Sequence, residues 1–152
     1  MAIEVVSRQR LARVDKEGIA RLAKATVEAV RQEGAHMTVA FVRDRKMRAL
    51  NREFRGKDLA TDVLSFPAGE ADDAPGHYLG DVVISIDTAM RQAGDMGHTL
   101  EREINELLIH GVLHLCGYDH ETDQGEMNRL ELRLRRRLLE SGRWSVVSGS
   151  RI

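Results

Sequence analysis

The stretch His110-Gly111-Val112-Leu113-His114-Leu115-Cys116-Gly117-Tyr118-Asp119-His120 decides how the rest of the chain is read. His110 and His114 are four apart in an apolar run, so on a helix their rings leave from one side, one turn apart. Leu100, Ile104, Leu107, Leu108, Gly111 and Leu115 form the core stripe of that helix, with the two histidines on its shoulder. Ile109, Val112 and Leu113 make the remaining circumference largely apolar, so a central, buried helix is predicted from about Thr99 to Leu115. Imidazoles in such a place need partners or a metal. Gly117 stands where the helix should end, and glycine accepts the left-handed conformation of a C-terminal cap. The chain can then reverse and return His120 to the first two rings. Three neutral imidazoles hold one ion at about 2.0–2.1 Å and leave a fourth position open, the layout of a catalytic rather than a closed structural site. Cys116 reads either as a fourth ligand, which would close the site, or as a small buried hydrophobe. Asp119 reads either as a group orienting a ligand ring or as a turn former.

The spacing matches the extended zinc-protease pattern His-Glu-x-x-His-x-x-Gly-x-x-His at every position but one. Gly111 stands where the glutamate general base should be, and Glu103 and Glu106 lie on earlier turns. A zinc metallopeptidase therefore stays an alternative without its proton acceptor.

Outward from this helix, Ile3–Val6 and Met37–Val42 read as strands. Between them, Ile19, Leu22, Ala23 and Val30 recur at helical spacing from Asp15 to a closing Gly34. Asp44 is placed to cap a second helix with the apolar face Met47, Leu50 and Phe54. Asp62–Phe66 is a third strand stopped by Pro67, Ala68–Gly80 an exposed loop, and Leu79–Ile86 a fourth strand. Asp87 opens a short helix through Met90, and a last helix is expected from about Thr122 to Glu140, closed by Gly142. The third and fourth strands follow each other without an intervening helix. The expected class is therefore α+β: a small mixed four-stranded sheet, about five helices, and a zincin-like metal site on the central one. Residues 1–142 are expected to form one hydrolase domain and 143–152 a loosely anchored, disordered tail.

The 152 residues suffice for one domain with a sizeable core. The 42% hydrophobic and 31% charged fractions are those of a soluble protein, and nothing in the pattern predicts a membrane span or signal peptide. The single cysteine excludes an internal disulfide and fits a cytoplasmic setting. A net charge of −1 argues against coating nucleic acid by bulk charge, but leaves local basic grooves open.

At these residues the chain resembles the YbeY family of rRNA maturation factors, which are metal-dependent endoribonucleases. The run His110–His120 is similar to that family's His-Gly-x-Leu-His-Leu-x-Gly-Tyr-Asp-His signature throughout. Leu50-Asn51-Arg52-Glu53-Phe54-Arg55, Thr61-Asp62-Val63-Leu64-Ser65-Phe66-Pro67 and Leu79-Gly80-Asp81-Val82-Val83-Ile84-Ser85 resemble its upstream blocks. The likeness runs from about Met37 to Glu140, with Ala60 departing from the usual proline before the Thr-Asp pair. The resemblance implies that His110, His114 and His120 bind one metal ion, usually taken as zinc, and that Arg55 serves RNA cleavage or binding. With His114 it makes up the expected catalytic pair. It further implies single-stranded RNA as substrate, DNA not being expected. The implied role is maturation of the 16S rRNA 3′ end on the small ribosomal subunit, together with ribosome quality control.

The residues agree with an anionic substrate. Arg45, Arg48, Arg52 and Arg55 recur at three or four and share one face of the second helix, which could also be simply solvated. Arg55 differs in ending the helix beside Gly56, where a guanidinium can grip phosphate oxygens in parallel. Arg133–Arg137 reads as the exposed side of the last helix. The attacking group is left open between RNA's own 2′-hydroxyl and water. The rival from another class is a non-catalytic assembly factor in which zinc only orders the fold.

Overall fold

The computed structural model describes residues 2–30, 35–68, 78–119 and 121–139. Gly34, most of the Ala68–Gly80 loop, His120, Gly142 and the 143–152 tail lie outside the described residues. The chain runs β1 (Ala2–Ser7), α1 (Lys16–Val30), β2 (His36–Val42), α2 (Asp44–Arg55), β3 (Val63–Pro67) and β4 (Tyr78–Ser85). It continues through α3 (Ile86–Met96), α4 (Leu100–Leu115) and α5 (Glu126–Leu134), which passes into a π-helical turn at Arg135–Leu139. The strand order is β1-β2-β4-β3, with β1, β2 and β4 parallel and β3 antiparallel along β4. This is the expected α+β arrangement with a mixed sheet.

Alternation along the strands gives the sheet two different faces. Met37, Val39, Phe41, Val82 and Ile84 point into the main core, beneath α1 and α4. Val42, Leu64 and Val83 point the other way and pack with Met47 of α2. A one-residue bulge where β2 meets the start of β4 keeps Leu79 on the same side as Val82. α4 is the central element: it touches α1, α3, α5, β3 and β4, and Leu108, Ile109, Val112 and Leu113 are fully buried.

Its approach to the sheet is closest at Gly111. A Cβ there would lie 2.7 Å from Val82 Cγ1, 3.2 Å from Val82 Cγ2 and 3.3 Å from Ser65 Oγ. The Ser65 hydroxyl donates to the Gly111 carbonyl at 2.9 Å, tying edge strand β3 to the helix. The glycine at this position thus has a packing reason. A glutamate there would be driven into the sheet.

Three local expectations differ. Asp44 does not cap α2; Arg43 holds the cap position, and Asp44 is the first helical residue. Its carboxylate accepts instead from Ser85 Oγ at 2.6 Å, Thr88 Oγ1 at 2.7 Å and Arg91 at 2.9 Å, joining α2 to α3. α3 runs on to Met96 because Ser85 caps its start through Thr88 N–H, and Gly97 closes it. Its second half is exposed apart from Gln92 and Ala93, and one buried small residue is too little apolar pattern to reveal it. The last helix begins at Glu126 rather than Thr122, since Asp123 accepts from the Gly125 and Met127 amides and fixes a turn first.

Two stability predictions follow from these contacts. Gly111→Ala should cost about 1–3 kcal/mol in denaturant unfolding, because stiff, β-branched Val82 cannot swing away. Partial burial pushes the Asp44 carboxyl up, but the Ser85 and Thr88 hydroxyls and Arg91 outweigh it and hold the group below its ordinary value. Its stabilising effect is then full above the unfolded aspartate pKa and lost as pH falls through the lower folded one. Asp44→Asn should therefore be destabilised at neutral pH, with the gap to wild type closing below about pH 4 in thermal melts.

Candidate functional site

Thr99 opens α4 by accepting the Arg102 amide at 3.0 Å, and Gly117 ends it. Gly117 has φ +100°, its N–H donates to the His114 carbonyl at 3.0 Å, and Tyr118 N–H donates to Leu113 at 3.0 Å. This double closure is the Schellman arrangement, which needs a residue content with the left-handed region. His110 and His114 therefore sit on the last turns of a helix whose end is fixed. Both rings are half-buried, 4.8 Å apart between centroids and inclined at 77°.

His110 is held by a carboxylate that sequence reading passed over. Its Nδ1 lies 2.9 Å from Glu131 Oε1 on α5, and Glu131 Oε2 accepts from Arg135 at 2.7 Å. Arg135 also faces Glu106 Oε1 at 3.6 Å, and Glu106 Oε2 accepts from Arg102 at 2.9 Å. Burial pushes the Glu131 carboxyl up, yet the contacts with His110 and Arg135 together hold it below the ordinary glutamate value. An ionised carboxylate only accepts, so the proton between the two groups is on His110 Nδ1. In the neutral ring this puts the lone pair on Nε2. A histidine so oriented is what a divalent ion of zinc's preferences takes, and a carboxylate behind it raises its basicity.

A second group with ligating atoms lies at the other end of α4. His98, Glu103 and Glu106 present donor atoms within 4.8 Å of one another and could hold a metal ion. His98 Nε2 is 2.6 Å from Glu103 Oε1, and Glu103 is 7% exposed, so this pair already satisfies itself within the fold. Glu103, Glu106, His110 and His114 follow one another along the same helix at spacings of three and four, making a polar seam through an apolar helix.

The other site expectations divide. Asp119 accepts the Glu121 amide at 3.0 Å, the turn-forming alternative. Cys116 is half-buried and packs against the main core, as the small-hydrophobe alternative requires. Arg48 and Arg52 converge on Asp58, at 2.8 Å and 3.4 Å. Arg55, the last residue of α2, is exposed and makes no hydrogen bond or ion pair among the described residues. It lies on the α2 side of the sheet, whereas the histidines lie on the α4 side, with edge strand β3 between them. The basic run 133–137 is not uniformly solvated: Arg135 turns inward to Glu131 and Glu106. Glu131 carried a legible signal, since it falls on the apolar stripe Met127, Leu134 and Leu138.

The endoribonuclease YbeY family profile matches residues 4–139. The chain belongs to the endoribonuclease YbeY family. A relative in Solibacter usitatus, named Endoribonuclease YbeY, is 46% identical over 134 residues, covering 88% of this chain and 86% of that one. Another of that name in Aquifex aeolicus is 47% identical over 111 residues, 72% of each chain. The solution structure of a Thermotoga maritima protein matches with a TM-score of 0.65 at 27% identity, covering 95% of this chain and 93% of that one. These relatives are thus named as endoribonucleases, enzymes acting on RNA. Among the described residues, no helix is long and apolar enough to cross a membrane.

Imidazole NMR of nitrogen-labelled, metal-free protein checks the Glu131 geometry. Wild type should show neutral His110 protonated at Nδ1, and Glu131→Gln, whose amide oxygen still accepts, should keep that tautomer. Glu131→Leu should lose the preference.

Proposed function

We propose that this chain is a metal-dependent endoribonuclease specific for single-stranded RNA, acting in 16S rRNA 3′-end maturation and ribosome quality control in the cytoplasm. Family membership supports RNA as the substrate class, and one geometric observation carries the chemistry: the adjacent imidazoles of His110 and His114, the first fixed by Glu131. His110, His114 and His120 would hold one zinc ion. When bound, that ion supplies Lewis-acid stabilisation of charge on the phosphate. His114 would also serve catalysis, as a ligand of that ion. Glu131 keeps His110 in one tautomer, so no reorganisation is needed when substrate arrives.

Arg55 would bind non-bridging phosphate oxygens with its planar fork and offset the charge that grows on phosphorus as the attacking oxygen adds. With no acid paired to it among the described residues, it gives up no ion pair there on meeting RNA. Two attacks fit this arrangement. The 2′-hydroxyl can displace the 5′-oxygen of the next nucleotide, leaving a 2′,3′-cyclic phosphate. Water can instead leave a 5′-phosphate and a free 3′-hydroxyl. The peptidase alternative loses further support from Gly111, whose Cβ position is closed by Val82 and Ser65. The substrate on the small ribosomal subunit belongs to the same proposal.

Purified protein should contain about one zinc per chain by elemental analysis. Chelation should abolish cleavage of single-stranded RNA, and zinc should restore it. His114→Ala should lose metal and cleavage while remaining folded by circular dichroism. Arg55→Ala should keep its metal but lower kcat about 10²–10³-fold, with Arg55→Lys recovering little. Cleavage that persists without metal would overturn the assignment, and a His110→Ala variant that melts would favour a purely structural metal. Analysis of product ends separates the two attacks.

A further inference from the structure

We infer that Phe54, seated edge-on against Phe66 beside Arg55, is a stacking platform for an unpaired base of the RNA substrate. The inference rests on the endoribonuclease reading and adds to it a subsite for the base. Helical spacing places Phe54 with Met47 and Leu50 on the apolar face of α2. Met47 is wholly buried, but Phe54 is 59% exposed. Single exposed apolar side chains are common, so exposure alone is not the argument.

The argument is that this ring is held in place while its surface stays open. Its centroid lies 5.3 Å from that of Phe66 at 71°, the favourable edge-to-face geometry. Phe66 in turn packs with the small core of Val42, Met47, Leu64 and Val83. A ring fixed in advance loses little entropy when a flat partner lies on it. Every nucleobase has such a face, and base–aromatic stacking is the sequence-tolerant way proteins hold single strands. In a duplex these faces are already taken up, so the platform favours unpaired RNA.

Charge and position agree. Arg43, Arg48, Arg52 and Arg91 are paired with Asp87, Asp58 or Asp44, but the residue following Phe54 is Arg55, unpaired among the described residues. Asp81, the acid paired with Phe66 across the strands, accepts from the Tyr78 hydroxyl. Ser65, next to Phe66, points to the opposite side and touches Gly111, the neighbour of His110. β3 is an edge strand, so a single strand can cross its rim with a base on Phe54 and the reacting phosphate between Arg55 and the histidines.

The test mixes full-length, metal-loaded protein with 2′-O-methyl RNA carrying 2-aminopurine at successive positions. Stopped-flow fluorescence reads stacking and anisotropy reads affinity. Wild type should quench the probe strongly at one or two positions. Phe54→Leu, similar in bulk but without a π face, should lose that quenching and bind about 5- to 150-fold more weakly. Phe54→Trp should retain both signals, and Met96→Ala, at another exposed apolar residue, should leave them unaltered. In cleavage the Leu variant should change KM more than kcat. Wild-type-like quenching and affinity in Phe54→Leu would overturn the platform while leaving the endoribonuclease reading intact. Failure of wild type to bind unpaired RNA at all would overturn both.

Discussion

The packing of α4 onto β3 and β4 at Gly111 is the constraint on which the site depends. With no Cβ between them, the helix backbone sits against Val82, and Ser65 hydrogen-bonds its carbonyl. That contact sets the rotation of α4 about its axis. Ile109, Val112 and Leu113 are thereby buried, while His110 and His114 are left on the shoulder toward α5. A larger residue at this point would lift or turn the helix and move both imidazoles together. The same glycine that removes the protease base is thus a positioning device for the rings.

From there the polar groups form a chain of mutual satisfaction. His110 is tied to Glu131, Glu131 to Arg135, Arg135 to Glu106, and Glu106 to Arg102. Each carboxylate in this buried seam meets a cation or an imidazole, which is what makes charge tolerable on a helix otherwise packed in apolar surroundings. The functional consequence is rigidity of a donor atom. Glu131 selects which nitrogen of His110 carries the proton, and α5 therefore takes part in the site although none of its residues was a candidate ligand.

The opposite side of the sheet works by leaving groups unsatisfied. α2 pins two of its arginines on Asp58 and ties its first residue to α3, so its C-terminal end is firmly based. On that base it presents an open aromatic ring and a guanidinium unpaired among the described residues. Packed histidines on one side of β3 and a receptive end of α2 on the other suit a substrate that is both charged and flat.

Spacing along the chain was sufficient for the central helix, its buried stripe, the paired histidines, the closing role of Gly117 and the four strands. Each of these depends on local periodicity or on one residue's backbone freedom. The resemblance of His110–His120 and the upstream blocks was legible for the same reason, being carried by contiguous residues. Tertiary structure alone decided that Glu131 orients His110, that Arg135 faces inward, that Asp44 serves α3 rather than its own helix, and that Phe54 stays open. Glu131 and His110 are 21 residues apart and Asp44 and Thr88 are 44 apart. Helical spacing says which face a side chain shares, but which partner that face meets is settled only when separate elements pack together.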